Sequence, residues 1–434
     1  MASLKSLLET FRELEGSVES RIRQTIHRFP SLHGIPYWLA GLAVGVTACL
    51  YSEFFSGFIS VAQSYAQSNP ILFVCCAPFL FVLSHLMVER FAPSASGTGV
   101  STVHRAIQAE GDASCVRSLI GLRVAGVVVL SSLVAVLGGG GLGREGPMVL
   151  IAACVFYAIG ETSKRWWPFR EHRSWLIAGG AAGIAAAFNT PLAGIVFVLE
   201  ELAAAQFHQF KTVVISSVIM AGVAAQWLSG RYLYLGFPKI TTVPISGLLW
   251  VVLVAVIVGT FAGLFLRLVQ ILDPWAKRAR AKQKILVPAF LGLCVALIAT
   301  YVTPRSVGGG INLIIDILFK GPENANWTVF GARFASTVLT HLSGVSGGFL
   351  APSLSLGATM GSQVATWWSP ENHNLLVLTG MAGFLAAVTS SPFTALVIVM
   401  EMTDRHSAIF PLMIGASISH GFAWLIRGKI ARYV

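Results

Sequence analysis

The pattern of apolar and polar positions divides most of the chain into apolar runs joined by short polar links. The runs cover roughly residues 37–51, 71–87, 119–137, 148–159, 175–188, 192–202, 213–228, 248–268, 285–301, 330–342, 352–367, 375–388, 393–402 and 410–426. A helix that spans a bilayer needs about 20 apolar residues, and many of these runs are shorter or interrupted by glycine or proline. Broken backbone is tolerated at that depth only where it is buried or lines a polar cavity. The pattern therefore predicts an all-α polytopic membrane protein with tilted and broken helices.

The first 30 residues differ from the rest, because their apolar positions recur at helical spacing among charged residues. These positions are Leu4, Leu7, Leu8, Phe11, Leu14, Val18, Ile22 and Ile26. We expect residues 1–30 to form an amphipathic helix on the cytoplasmic face, followed by a transmembrane domain over residues 31–434. Because this segment is polar and charged, we expect no cleavable signal peptide.

Composition and charge agree with a membrane protein. The mean hydropathy is +0.73. Charged residues make up 11% of the chain, whereas soluble domains carry about a quarter. The net charge of +11 is spread over links between apolar runs, which argues against nucleic acid as a partner. The basic links contain Arg21, Arg23 and Arg28; Lys164, Arg165, Arg170 and Arg173; Lys277, Arg278, Arg280, Lys282 and Lys284; and Arg427, Lys429 and Arg432. The positive-inside rule places these links and both termini in the cytoplasm.

Two segments repeat each other. The stretch GIAAAFNTPLAGIVFVLEEL resembles GFLAAVTSSPFTALVIVMEMT, and Glu200 follows Pro191 at the spacing at which Glu401 follows Pro392. Repeats with broken helices are typical of transporters that bind their substrate at the repeat interface. We therefore predict two repeats, over residues 31–230 and 245–426.

Three glycine-rich loops come just before predicted helices: SASGTGVS, GREGP and GFLAP. The first N–H groups of a helix lack an internal partner and carry the positive end of its dipole. Proline is well tolerated at the first helical position, and glycine lets the backbone approach a ligand closely. The loops together predict a site for a small anion at several helix N-termini.

The second loop also contains the G-x-G-x-x-G spacing of a dinucleotide-binding turn, in Gly141, Gly143 and Gly146. Glu145 lies among the amides that would have to face a phosphate, and like charges repel. No βαβ unit surrounds the loop. The six cysteines show no metal-ligand spacing. We therefore expect no nucleotide, metal or other cofactor.

The motifs GREGP, FNTPLAGIVFVLEE, GFLAP and MEMTD, in this order along the chain, resemble the CLC family of chloride channels and chloride/proton antiporters. The resemblance runs from about Gly97 to the C-terminus. It implies two halves of opposite membrane orientation and a homodimer with one anion pathway per subunit. It also implies a bacterial type in the inner membrane, without cytoplasmic regulatory domains.

The resemblance assigns roles to individual residues. Glu145 is similar to the family's gating glutamate, and Glu201 to the intracellular proton-transfer glutamate of its antiporters. Glu200 resembles a family position whose role is closer to structure and to the access of water. Glu401 is interpreted as structural. The anion site would comprise Gly97, Thr98, Gly99, Arg144, Gly146, Phe349, Leu350 and Tyr433.

Some of these assignments leave alternatives. Arg144 is either an anion ligand or a structural neighbour of Glu145. Thr98 replaces the family's usual serine and keeps a hydroxyl, which favours chloride, since proline there goes with nitrate preference. Leu350 replaces the usual phenylalanine. Tyr433 falls one position later than the motif alignment places the family's tyrosine.

A carboxylate among helix N-termini is a tethered anion that competes with the transported one, and protonation removes that competition. This chemistry favours a transporter that exchanges chloride for protons. We do not expect the protein to be an enzyme. The alternative within the family is a passive chloride channel, and Glu201 favours exchange because uncoupled members often lack an acid there. A further alternative is an intramembrane serine protease, with Ser346 of GVSG as nucleophile and His341 or His420 as base.

Overall fold

The computed structural model describes residues 34–109, 112–164, 171–202, 207–230, 234–240 and 245–428. The predicted N-terminal helix and Tyr433 lie outside these residues. Within them the chain is helical, and its β-pairing consists of two isolated bridges, Gly97 with Ser346 and Gly143 with Gly348. The prediction of an all-α protein is therefore confirmed.

The helices carry the labels α1 to α17 in chain order. They are α1 Ile35–Ser68, α2 Pro70–Phe91, α3 Val100–Gln108, α4 Ala113–Leu119, α5 Leu122–Leu137, α6 Glu145–Ser163, α7 His172–Phe188, α8 Pro191–Phe197, α9 Phe207–Ser229, α10 Ile245–Lys282, α11 Leu286–Leu297, α12 Ile311–Phe319, α13 Trp327–Leu342, α14 Leu350–Trp368, α15 His373–Thr389, α16 Pro392–Thr403 and α17 Ile409–Arg427. Helices α8 and α11 continue as the π-helical turns Val198–Leu202 and Ile298–Val302.

Helix lengths reveal how closely the two repeats correspond. Helices α3 and α12 both have 9 residues, α6 and α14 both have 19, and α7 and α15 both have 17. The 7 residues of α8 with its π turn of 5 match the 12 residues of α16. The repeated motifs therefore occupy equivalent places in two similar helical units.

The predicted helix breaks occur at equivalent positions. Asn189 and Ser390 end α7 and α15 in the left-handed conformation, with φ of 55° and 61°. Pro191 and Pro392 then begin the next helices. A left-handed residue stops a helix, and a proline two residues later can only start a new one. The interruptions thus follow from local sequence.

Seven helices among the described residues are long and apolar enough to cross a membrane. They are Ile35–Ser68, Pro70–Phe91, Ser114–Leu137, Glu145–Ser163, Phe207–Ser229, Gly247–Lys282 and His406–Arg427. Large apolar side chains such as Ile71, Trp227 and Phe410 remain more than 70% exposed. Such exposure suits contact with lipid, and the chain is a multi-pass membrane protein.

Two helices are longer than their apolar runs. The run that ends at residue 51 continues as helix to Ser68, and the run that ends at residue 268 continues to Lys282. The interpretation of the basic stretch Lys277–Lys282 as a link was therefore wrong. The stretch forms the end of α10, because alanine, lysine and arginine all have high helix propensity. A helix can therefore continue beyond the end of an apolar run.

Glycine allows equivalent helix pairs to pack closely. An added Cβ on Gly357 of α14 would lie 2.1 Å from the Gly380 carbonyl oxygen of α15. In the first repeat, a Cβ on Gly183 of α7 would lie 2.8 Å from the Val149 Cα of α6. Such close contact between backbones is a common way for helices to associate in membranes. It holds α6 and α14, which begin at the site, in fixed positions.

Candidate functional site

The three glycine-rich loops meet at one place and pair through their backbones. The Gly97 N–H donates to the Val345 carbonyl (3.3 Å), and the Gly347 N–H donates to the Gly97 carbonyl (3.1 Å). Gly143 and Gly348 exchange two hydrogen bonds, of 2.9 and 3.1 Å. The first and second loops of the sequence are thus both joined to the third.

Helices α3, α6 and α14 begin directly after these loops, so three helix N-termini converge at their junction. The loops approach each other so closely that a side chain at Gly99 or Gly146 would not fit. A Cβ on Gly146 would lie 2.4 Å from the Thr98 carbonyl oxygen, and one on Gly99 would lie 2.8 Å from the Gly146 carbonyl oxygen. Phe349 and Leu350 flank the start of α14 and are each 8% exposed. The unpaired N–H groups and helix dipoles favour an anion here.

A fourth glycine-rich loop, which the sequence analysis missed, joins the same junction before α12. Its Gly308 N–H donates to the Gly140 carbonyl (2.9 Å). Gly308 and Gly310 have φ of 67° and 83°, as Gly97 and Gly99 have 84° and 78° in the equivalent loop. The signal in the sequence was the G-x-G of Gly308 and Gly310, the same spacing as Gly97 and Gly99, and the sequence analysis did not single it out.

Arg333 of α13 holds the fourth loop in place. Its side chain is completely buried. Its Nε donates to Ser355 Oγ and its Nη2 to the Gly308 carbonyl, both at 2.9 Å, and its Nη1 donates to the Arg305 carbonyl. No ion pair joins Arg333 to a carboxylate of the described residues. This buried positive charge is therefore stabilised by hydrogen bonds to neutral groups.

Glu145 is the first residue of α6 and lies inside the junction, with 1% of its surface exposed. Its Oε2 has no hydrogen-bond partner among the described residues. That oxygen would be 2.5 Å from a Cβ on Gly143, beside Ala351 and Pro352 of the third loop. The carboxylate therefore occupies the space between two of the converging helix N-termini.

Arg144 directs most of its donors away from the junction. Its Nη1 donates to the Ser52 carbonyl (3.0 Å) and Ser56 Oγ (3.1 Å), and its Nη2 donates to the Tyr234 hydroxyl (2.7 Å). Its Nε lies 3.8 Å from Glu145 Oε1. These contacts favour the structural interpretation of Arg144, as a residue that ties the start of α6 to α1.

The first of two neighbouring acids, Glu200, lies in the π turn after α8 and caps a helix of the other repeat. Its Oε1 accepts from the Phe393 N–H (3.1 Å), and its Oε2 accepts from the Thr394 N–H (2.7 Å) and hydroxyl (2.8 Å). A carboxylate at a helix N-terminus satisfies unpaired N–H groups and interacts well with the dipole. Glu200 thus stabilises the start of α16.

Glu401, near the end of α16, makes the reciprocal contact. Its two oxygens accept from the Leu192 N–H (3.1 Å) and the Ala193 N–H (3.0 Å) at the start of α8. Glu200 and Glu401 therefore perform the same structural task on opposite sides of the repeat interface.

Glu201 breaks this symmetry. Its Oε2 accepts a hydrogen bond from the Ser391 hydroxyl, in the second repeat. The equivalent residue of the second repeat is Met402, which is fully buried. The two repeats therefore differ at this position, with an acid in the first and an apolar side chain in the second.

A model of the family described as voltage-gated chloride channel matches residues 80–423, which is well over half of the chain. The chain belongs to this family, the CLC family. Two named members of the family are similar to this chain over most of their length. The present CLC chain is 33% identical to the H(+)/Cl(-) exchange transporter ClcA of Vibrio cholerae serotype O1 (strain M66-2), over 81% of this chain and 76% of the relative. It is 32% identical to the ClcA of Cronobacter sakazakii, also an H(+)/Cl(-) exchange transporter, over 93% and 88% of the two chains.

Solved structures share the CLC fold. A slow cyanobacterial Cl-/H+ antiporter superposes with a TM-score of 0.81 at 22% identity, over 92% of this chain and 95% of that one. A CLC-type fluoride/proton antiporter superposes with a TM-score of 0.78 at 22% identity, over 90% and 96%. The predicted architecture, two inverted repeats of tilted and broken helices, is therefore confirmed.

The protease alternative finds no support in the geometry of this CLC protein. The Ser346 hydroxyl is buried and has no hydrogen-bond partner among the described residues. The His341 ring instead packs on Phe349, with centroids 4.6 Å apart. No cluster of metal-binding side chains occurs in the described part of the chain. Ser346 belongs to the loop that pairs with Gly97 and lacks an activating base.

Proposed function

We propose that this CLC protein moves chloride across the membrane in exchange for protons. The observation that carries the proposal is the placement of two buried or half-buried acids, Glu145 and Glu201. Glu145 fills the junction of the helix N-termini, and Glu201 stands where the second repeat has Met402. The names of the ClcA relatives support exchange over the passive channel.

The chloride ion would bind at the loop junction. Backbone N–H groups of the loops of Gly97–Gly99, Gly146 and Phe349–Leu350 supply donors, and three helix dipoles supply a positive potential. The Thr98 hydroxyl is an additional donor. Because the backbone provides most of the site, Leu350 in place of the family's phenylalanine leaves these donors in place. Tyr433 as a further ligand stays a prediction.

Glu145 would act as both gate and proton carrier. Its carboxylate already lies between Gly143 and the start of α14, where its charge competes with chloride for the same donors. Protonation removes the charge, so that the side chain leaves the junction and chloride enters. When chloride leaves and the proton is released, the carboxylate returns. Each cycle thus couples the two ions.

Glu201 would pass protons between the cytoplasm and Glu145. It lies on α8's π turn, which belongs to none of the glycine-rich loops. π turns inside helices are frequent at functional sites. Intramembrane acids are costly and usually mark ion or proton paths. With Glu201 as a separate acid, protons from the cytoplasm can reach Glu145 without following the path that chloride takes.

The assembly and orientation follow from the family resemblance and the charge pattern. We propose a homodimer with one pathway per subunit, in the inner membrane of a bacterium, with both termini in the cytoplasm. Residues 31–230 and 245–426 form the two repeats.

The proposal is tested with purified protein in liposomes, where chloride and proton fluxes are recorded together. Glu145→Gln and Glu201→Gln should both stop proton movement, and chloride should still pass. Glu200→Gln is the matched control for its neighbour, and it should keep the wild-type ratio of protons to chloride. If Glu201→Gln kept that ratio, the assigned proton path would be wrong.

A further inference from the structure

Ser391 is a residue of the second repeat that contacts the proposed proton acid, Glu201. It is 2% exposed and directly precedes α16. Its hydroxyl donates to Glu201 Oε2 and also lies 3.4 Å from a second acceptor, the Thr389 carbonyl oxygen. Its backbone is fixed, because its N–H donates to Thr389 Oγ1 (3.3 Å) and its carbonyl accepts from the Ala395 N–H (3.0 Å). The hydroxyl is thus presented to Glu201 from a rigid position.

A serine just before a helix usually caps that helix, and Ser391 does not. Its side chain makes no capping hydrogen bond to α16. Glu200 takes over the cap by accepting from the Phe393 and Thr394 N–H groups. The Ser391 hydroxyl is therefore not needed for the start of α16.

The first repeat provides an internal comparison. Thr190 stands at the equivalent position before α8 and is fully buried, yet its hydroxyl has no hydrogen-bond partner among the described residues. It also makes no cap to its own helix. The residue equivalent to Glu201 is Met402, which carries no strong acceptor. A hydroxyl at this position therefore finds a partner only in the half that contains the acid.

Two neighbours of the pair make contacts of their own. Glu200 is held by the N-terminus of α16, and Arg427 Nη1 of α17 donates to the Ser390 hydroxyl (3.1 Å). The Ser391 hydroxyl of the same helix start donates to Glu201.

We propose that Ser391 is a positioning residue for proton transfer, which holds the Glu201 carboxylate against the second repeat. This inference rests on the proposed role of Glu201. A donor hydroxyl fixes the direction of the carboxylate and stabilises it after it has released its proton. Without it, Glu201 would release its proton less readily and pass fewer protons per chloride moved.

The test compares two variants that each remove one hydroxyl, Ser391→Ala and Thr190→Val, with Ser391→Thr as the conservative replacement. Each is reconstituted in liposomes, and the ratio of protons to chloride is measured. Ser391→Ala should lower this ratio by about tenfold, the lower end of what loss of a hydrogen bond to a charged group causes. Ser391→Thr should restore most of it, and Thr190→Val should leave it unchanged.

Glu201→Gln, alone and combined with Ser391→Ala, separates the two hypotheses. If Ser391 acts through Glu201, the double variant should match Glu201→Gln. A wild-type ratio in Ser391→Ala, beside an uncoupled Glu201→Gln, would overturn the role of Ser391 and leave that of Glu201. A coupled Glu201→Gln would overturn both. Equal losses of both fluxes in Ser391→Ala and Ser391→Thr would make Ser391 structural and also reject the inference.

Discussion

Glu200 and Glu401 cap each other's repeat: the carboxylate near the end of each short helix accepts the first free N–H groups of the other. The two contacts cross the repeat interface in opposite directions. They tie α8 to α16 without requiring either carboxylate to exchange a proton. These contacts make Glu200 the structural member of the acid pair, and the proposal above assigns proton transfer to Glu201.

Replacing either capping acid should weaken the fold. We expect Glu200→Gln and Glu401→Gln each to lower the free energy of unfolding by about 1 kcal/mol, because an amide offers one acceptor oxygen and no charge to the dipole. The measurement is thermal unfolding in detergent, with Glu323→Gln on the surface as control. Stabilities equal to the control would show that these hydrogen bonds contribute nothing.

The sequence predicted this arrangement only in part. The equal Pro-to-Glu spacing placed an acid at the same point of each repeat, and the prolines predicted the helix starts. The partners were not predictable, because the spacing within one repeat does not tell which helix of the other repeat lies across the interface. The same limit hid Ser391 as a partner of Glu201.

Gly143→Ala should displace the gate. The new Cβ would lie 2.5 Å from Glu145 Oε2 and 3.0 Å from Pro352 Cδ. Gly143 does not have a positive φ, so its backbone tolerates alanine. The carboxylate, at the end of a flexible side chain, moves more easily than the proline. We expect chloride flux at neutral pH to rise and the ratio of protons to chloride to fall severalfold.

The control for this variant is Gly331→Ala, where an added Cβ meets open space. It should behave as wild type in the same liposome assay. Wild-type coupling in Gly143→Ala would mean that the carboxylate does not occupy the space beside Gly143 during transport.

Arg333→Lys should destabilise the protein by about 3 kcal/mol, since a lysine cannot reproduce the guanidinium fork and leaves buried acceptors unpaired. The variant loses donors to Ser355 and to the Gly308 loop. Thermal unfolding beside Arg267→Lys, on an exposed arginine of α10, measures the effect. A loss no greater than that of Arg267→Lys would mean that Arg333 does not hold the fourth loop.

Thr98→Pro should shift the preference from chloride toward nitrate, because it removes a hydroxyl donor and reshapes the loop. The loop accepts proline in one respect, since the Thr98 N–H donates to no backbone group of the described residues. Thr98→Ser keeps the hydroxyl and should keep the chloride preference. Competition between chloride and nitrate in a binding titration distinguishes the two variants. Equal selectivity in both would exclude Thr98 as an anion ligand.

The candidate anion site was predictable where glycine and proline mark a helix start. The motifs GREGP and GFLAP gave the starts of α6 and α14, and GTG gave the start of α3. The loop at Gly308–Gly310 shares with GTG the absence of a proline and a following helix of nine residues, and the sequence analysis did not single it out. Its place in the junction depends on Arg333 and on the pairing of Gly308 with Gly140, which are long-range contacts.

The central claim, chloride/proton exchange, is tested most directly by imposing a chloride gradient on liposomes that contain the purified wild-type protein and following the internal pH. Chloride flowing down its gradient should drive protons in the opposite direction, even against a modest proton gradient. Chloride flux with no change in internal pH would contradict exchange and identify a passive channel.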